Sequence, residues 1–362
     1  MTSSEIALRV GRDQALAVDA LAERWGGRVG LAGVLRDLDR VARRSVSPRR
    51  RLGRNGRLLL RWDAEDSRTR TWYPQGITTS ADSGFVPAGR AVVLVSWYAA
   101  RHGGAAGAGA RLSVLDLSDP NDVRYRHVAL VRATGGDRVA PVPVHAGGLA
   151  WYRDLLYVAA TYRGVRVFDL RDVLRVPPEA TASTFDHRFV VPERFSYSAD
   201  PPGSMRYSFV SVDRTSTPHA LVAGEYTRWR RPARLARFDL EPTGRLATGA
   251  AGVAVPSYVG EVSIRRMQGA VAVDGRYVVS ASRGPHRRGD LWVGVPGSTG
   301  AGLSRHRRAL PAGPEDLACW TDRDEMWGLT EHPGRRYVLA VGLSAVLSGP
   351  RRGPDTTSSA PG

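Results

Sequence analysis

The stretch EDLACWTDRDEMWGLTEHPGRRYVLAV, from Glu315 to Val341, holds three short apolar runs separated by turn residues, and the same arrangement occurs four times upstream. First runs are PQGITTS from Pro74, HAGGLAW from His145, YSFVSVD from Tyr207, MQGAVAV from Met267 and EDLACW from Glu315. Each is followed by a second run (AVVLVSW, DLLYVAA, HALVAGE, RYVVSAS, EMWGLTE) and then a third (RLSVLDL, GVRVFDL, RLARFDL, GDLWVGV, RRYVLAV). Runs of this length, rich in Val, Leu and aromatics and bounded by Gly, Pro, Asp and Ser, read as strands rather than helices.

A unit of three strands plus a weaker fourth, repeating every 50 to 70 residues or so, fits the blades of a β-propeller better than a solenoid or a sandwich. The expected fold is therefore all-β, a five-bladed propeller, with six blades as the alternative. YRHVALV and HRFVVP supply fourth strands for the first two blades. The segment RLLLRW, Arg57 to Trp62, is placed to close the last blade and so remove an open sheet edge. Residues 1–56 read as an N-terminal helical extension, because Leu16, Leu21, Trp25, Val34, Leu35, Leu38 and Val41 recur at roughly helical spacing. Residues 57–348 form the propeller, and the polar tail 349–362 is expected to be disordered.

Composition narrows the functional classes. The chain has 362 residues and a formal net charge of +17, yet contains no lysine, and Asn only at Asn55 and Asn121. That bias points to a GC-rich coding sequence more than to a selected partner. The positive field favours anionic ligands, but the arginines are scattered and no nucleic-acid module is visible, so no nucleic-acid partner is expected. A single cysteine, Cys319, excludes an internal disulfide and reads as a buried core thiol. No apolar run is long enough for a membrane span. Glu5, Asp13, Asp19 and Glu23 stand where a secretory signal needs a basic start and a clean apolar stretch, so a cytoplasmic location is expected.

The propeller hypothesis itself selects site residues. The start of each inner strand and the end of the second share one face. Carboxylates there supply acid–base candidates: Glu225, Glu315, Asp316 and Glu331, with one pKa raised in a low-dielectric funnel and another left ionised. His145 begins an inner strand and is the general-base candidate. Gln75, Arg206, Tyr207 and Gln268 at strand starts join Trp97, Tyr98, Tyr162, Tyr226, Arg283 and His332 at strand ends as substrate-binding candidates, the aromatics offering stacking surfaces. Polar residues at strand ends also serve as ordinary turns, and the QG, GG and ED pairs fit that role too. Asp213 and Arg214, on the opposite face, read as a structural inter-blade pair. The run GGAAGAGAR from Gly103 leads into a strand rather than a helix, so it lacks the free amides of a phosphate loop. Walker, His-Glu-x-x-His and nucleophile-elbow motifs are missing, and neither a cofactor nor a metal is expected.

The segments WYPQGITTSAD, HAGGLAWYRDLLYVAATYRGVRVFDL, SFVSVDR with LVAGEY, MQGAVAV and PEDLACW with MWGLTEHPGRR resemble an uncharacterised actinobacterial family of β-propeller proteins, many of them described only as secreted. The resemblance spans most of residues 70 to 342. It implies a source and a fold, but carries no reaction and no catalytic residues.

Three function classes follow. The first is a cofactor-independent enzyme, probing cyclase, lyase, isomerase or hydrolase chemistry on a small, largely apolar natural-product-like substrate, and acting as a monomer. Carbohydrate hydrolysis or binding is the second, although the inner strands begin with Gln, His and Glu-Asp rather than repeated aspartates. The third is a protein-interaction scaffold using Arg228, Arg230, Arg231 and Arg234.

Overall fold

The structure is a computed structural model that describes residues 6–84, 89–100, 107–228, 232–296 and 302–348. The tail, Arg230, Arg231 and residues 103–106 of the glycine run lie outside the described residues.

Among the described residues the apolar runs form antiparallel meanders. Their inner strands are Trp72–Thr79, Leu149–Tyr152, Phe209–Asp213, Met267–Val273 and Pro314–Trp320. Each pairs with the second run, the second with the third, and the third with a fourth strand. In the last meander the fourth strand is Gly56–Arg61, which pairs antiparallel with Tyr337–Gly342 and closes the sheet as the RLLLRW segment suggested.

Apolar side chains alternate along these strands and fill the spaces between neighbouring meanders. Leu94 and Val114 meet Trp151 and Val158; Tyr157 and Val167 meet Val210 and Leu221; Phe209 and Val222 meet Met267 and Val279. Val271 and Leu291 meet Leu317 and Leu339, and Leu60 and Trp327 meet Trp72 and Val93, which brings the last meander back against the first. The result is a closed ring of sheets around a central axis: a β-propeller.

Two features depart from a simple ring of separate blades. Strand Phe189–Asp200 is twelve residues long; its first part runs parallel to Ala129–Val131 of the preceding meander, while its later part pairs with Val165–Phe168 of its own. The first two meanders thus share one sheet. The N-terminal segment is only partly helical: Ala7–Val10 is a strand on the outer edge at Tyr197–Asp200, and helix Ala15–Arg24 follows. That helix sets Leu21 and Ala22, with Trp25 beyond it, against Leu174 and Val190, while Leu16 stays 82% exposed. It covers an outer edge rather than an opening. Arg40–Val41 and Arg43–Arg44 then pair with strands of the first and last meanders, so the extension is woven into the ring.

Cys319 is a buried free thiol, as expected. Asp213 and Arg214 do not pair with one another. Asp213 bonds Arg237 within its own meander at 2.9 Å, and Arg214 donates to the Asp82 carbonyl of the first meander at 3.1 Å, because consecutive residues face opposite ways.

Glycines at the inner strands allow the strands to approach at the axis. A Cβ on Gly148 would lie 2.6 Å from Phe209 Cα, and one on Gly76 would lie 2.8 Å from the Gly148 carbonyl carbon. Backbone cannot yield as a flexible side chain does. Gly148→Ala is therefore expected to cost about 2 to 3 kcal/mol by overpacking, read as a lowered urea midpoint; an unchanged midpoint would mean the strands are not so closely set.

Candidate functional site

The inner strands do more than pack. In three of them the pairing with the second strand slips by a bulge, between Pro74 and Ile77, Met267 and Gly269, and Pro314 and Leu317. A bulge re-aims the side chains it carries, and these three carry Gln75, Gln268 and Glu315. They converge on a cavity of about 390 Å³ at one end of the axis. Glu331, just beyond the strand Glu325–Thr330, enters from the last meander, and His145 from the turn before Leu149. Tyr98, Arg206 and Tyr226 complete the wall with Gly147, Thr161, Ser208 and Arg228.

At the centre stand two carboxyl groups. Glu315 is 3% exposed; burial, the adjacent negative charge of Glu331 and a hydrogen bond shared with it push the Glu315 carboxyl well above the usual range. The site thus favours the neutral acid at Glu315. Each carboxyl group is held by an amide: Gln268 Nε2 donates to Glu315 Oε1 at 2.9 Å and Gln75 Nε2 donates to Glu331 Oε2 at 3.2 Å. The recurring Gln-Gly pairs thus have a chemical purpose and a packing one.

His145 tilts against Tyr98, with ring centroids 4.3 Å apart. It is open to the cavity and enclosed by protein elsewhere; the enclosure, with the Arg206 charge, pushes its pKa down, so it is a neutral proton acceptor at pH 7. Tyr98 is pushed up to about 12 by burial and by Glu331, and remains a phenol.

Of the residues selected from sequence, Gln75, Tyr98, His145, Arg206, Tyr226, Gln268, Glu315 and Glu331 line this cavity. The others do not, and each has a physical reason. Asp316 is fully buried off the cavity wall, where its Oδ2 accepts the backbone N–H groups of Ile77 and Leu149, both at 3.1 Å, tying three meanders together. Glu225 is engaged by Arg234, at 2.7 Å, and by the Arg206 backbone N–H; burial works to raise its pKa, but these partners outweigh it and hold the group ionised. Trp97 points into the core, where its indole N–H donates to Ser113 Oγ at 2.7 Å, and Tyr207 packs between the second and third meanders. Arg283 lies beside Asp290, Tyr162 is 55% exposed under Arg206, and His332 sits behind Glu331, 3.6 Å from its Oε1.

Sequence reasoning missed Gly147, Thr161 and Ser208 and gave Arg228 to a different surface. Thr161 adopts a left-handed backbone and bridges to Tyr207, and Ser208 Oγ accepts the Tyr226 N–H at 3.0 Å; neither leaves a mark in periodicity. Among the described residues, no group of three or more His, Cys, Asp and Glu is placed to hold a metal ion.

The cavity wall is mostly polar. Glu315, Glu331 and His145 stand within one small chamber, an arrangement that can both donate and accept a proton.

No family model and no curated protein matches the chain. Solved structures with a similar course of the chain include the GH43_1 enzyme from Xanthomonas citri complexed with xylose, at 12% identity over 75% of this chain and 88% of that one, with TM-score 0.40. The β-propeller domain of Myceliophteria thermophila Cps50 (Swd1) is similar at 10% identity over 74% and 83%, TM-score 0.32. Glutaminyl cyclase from Myxococcus xanthus is similar at 10% identity over 63% and 85%, TM-score 0.32. Likeness at this level transfers neither a substrate nor a catalytic residue. No helix among the described residues is long and apolar enough to cross a membrane.

Proposed function

We propose that the protein is an enzyme that performs non-redox acid–base chemistry on a small polar substrate in the central cavity, with Glu315 as proton donor and Glu331 as its partner. The observation that carries this reading is the convergence of Glu315 and Glu331 on one chamber of substrate size, with Glu315 buried and its carboxyl pushed above the usual range by burial and by the neighbouring Glu331. A neighbouring negative charge adds to burial in favouring the neutral form of Glu315. Neutral His145 is the second acceptor. In a turnover Glu315 gives its proton to the departing or rearranging group while Glu331 takes one from substrate or water and passes it back to Glu315; where His145 is the acceptor, its proton returns to Glu315 through solvent.

Hydrolase, lyase, cyclase and isomerase steps all fit that cycle. A glycoside hydrolase fits less well, because the inner strands begin with Gln, His and Glu-Asp rather than repeated aspartates. The proposal extends to five blades, a monomer with one site, no resident cofactor, a cytoplasmic location and an actinobacterial source.

The protonated state of Glu315 has a measurable consequence without any substrate. Its folded pKa is raised, so above the ordinary value of 4.5 the native state holds a proton that the unfolded chain has released. Stability therefore falls as pH rises from about 4.5 toward the folded pKa. Glu315→Gln removes that descent, and the difference between wild-type and variant urea midpoints should grow with pH. A constant difference across that window would place an ionised Glu315 in the folded protein. The functional test itself is conversion of a metabolite by the wild type and not by Glu331→Gln.

A further inference from the structure

The cavity has a second pole. Arg206 crosses it with its guanidinium carbon 5.1 Å from the Tyr226 ring centroid and 5.8 Å from that of Tyr162. Arg228 approaches the same Tyr226 ring at 5.9 Å and donates from Nε to its hydroxyl at 3.1 Å. Several half-buried arginines elsewhere have carboxylate partners: Arg166 has Glu193, Arg194 has Asp13 and Asp172, Arg234 has Glu225, Arg237 has Asp213. Others, Arg214, Arg288 and Arg336, bond backbone carbonyls instead, but none of these lines the cavity.

Arg206 and Arg228 have no carboxylate partner among the described residues. The Arg206 side chain makes a single hydrogen bond, from Nη1 to the Tyr226 carbonyl at 3.3 Å, and its Nε is buried without a partner. The adjacent Glu225 cannot serve, since it accepts only the Arg206 backbone N–H while Arg234 takes both its oxygens. Tyrosine rings on either side orient the cation and keep its remaining donors available to whatever enters. An uncompensated, pre-positioned guanidinium in a small chamber is a receptor for a planar or tetrahedral oxyanion.

We infer that the substrate carries a carboxylate or phosphate group, bound by Arg206 with help from Arg228, so that its reacting bond lies toward Glu315 and Glu331. This deepens, and rests on, the acid–base reading of the same cavity. The neutral Glu315 fits it: a second full negative charge at the reacting pole would repel such a molecule. Arg206 is here a binding residue, and Glu331 a reacting one, so the two claims can be separated.

The experiment is a calorimetric titration with inorganic phosphate, succinate and, as an uncharged control, xylose. Wild-type protein should bind phosphate or succinate, the better of the two naming the anion class, and bind xylose no better. Arg206→Gln should weaken the anion at least tenfold and the exposed Arg228→Gln about threefold, while Arg307→Gln, remote from the cavity, and Glu331→Gln should not weaken it. No anion binding, or equal affinity in Arg206→Gln that is folded by circular dichroism, overturns the inference. Should Arg206→Gln not fold, Arg228→Gln decides: unchanged affinity there counts against it. Arg206-dependent binding without any turnover would sink the enzyme reading and leave the anion pole standing. Turnover of an uncharged substrate, lost in Glu331→Gln but kept in Arg206→Gln, would do the reverse.

Discussion

Glu331→Gln is expected to lower kcat about a thousandfold while leaving the fold and the urea midpoint close to wild type. The magnitude is that of one positioned acid–base group. The substitution keeps the shape of the side chain and an acceptor for the Gln75 amide at 3.2 Å, but it removes the negative charge beside Glu315. Glu315→Gln should be comparably slow, since an amide cannot give up a proton as a carboxylic acid does. It should also be the more stable of the two at neutral pH, because it places a neutral group where burial opposes a charge. Kinetics on the first converted substrate decide this: a fall of less than tenfold in both variants would remove the pair from the mechanism.

The largest effect on stability is expected at Asp66, which does not line the cavity. This carboxylate is 1% exposed and accepts Tyr125 OH at 2.6 Å, His127 Nε2 at 2.9 Å and Arg111 Nη2 at 2.7 Å, with Arg40 at 3.3 Å. Burial would raise its pKa, but His127, Arg111 and Tyr125 outweigh that and keep it far below the usual range. Its partners extend the network, His127 Nδ1 reaching Ser113 Oγ at 3.0 Å, and Arg111 lying over the Trp72 and Trp97 rings. Asp66→Ala leaves Arg111 buried without a counter-charge, at a cost of about 3 to 5 kcal/mol. Urea unfolding measures it directly, and a loss below about 1 kcal/mol would mean the network is dispensable. The chain His127–Ser113 resembles a nucleophile and base in outline, but Ser113 is wholly buried and its oxygen already accepts the Trp97 indole N–H.

Strand order and the site face were readable because they follow from periodicity. Five repeats of three apolar runs fix which strand lies innermost, and the innermost starts and second-strand ends must then share a face. What periodicity could not give is which member of an adjacent pair looks inward. The sequence reading named both of Trp97 and Tyr98, Arg206 and Tyr207, Glu225 and Tyr226, Glu315 and Asp316, and Glu331 and His332. Neighbouring side chains on extended backbone point to opposite sides, and in every pair one lines the cavity: Tyr98, Arg206, Tyr226, Glu315 and Glu331.

At Gln75, Gln268 and Glu315 the phase is set by bulges, each a local slip with no signature in residue type. The double use of strand Phe189–Asp200 was hidden for a similar reason, since a parallel partner is set by tertiary packing rather than by the strand's own pattern. Helical spacing near the N-terminus misassigned Leu16, whose neighbours Val18 and Leu21 take the buried face.

The most direct measurement is mass spectrometry of a polar metabolite extract incubated with wild-type protein, Glu331→Gln protein and heat-inactivated protein. The account predicts an anionic mass that disappears, with an isomer or a hydrolysed or eliminated product appearing, only with the wild type. Equal conversion by Glu331→Gln, or retention of a mass on the wild type without any conversion, would contradict it.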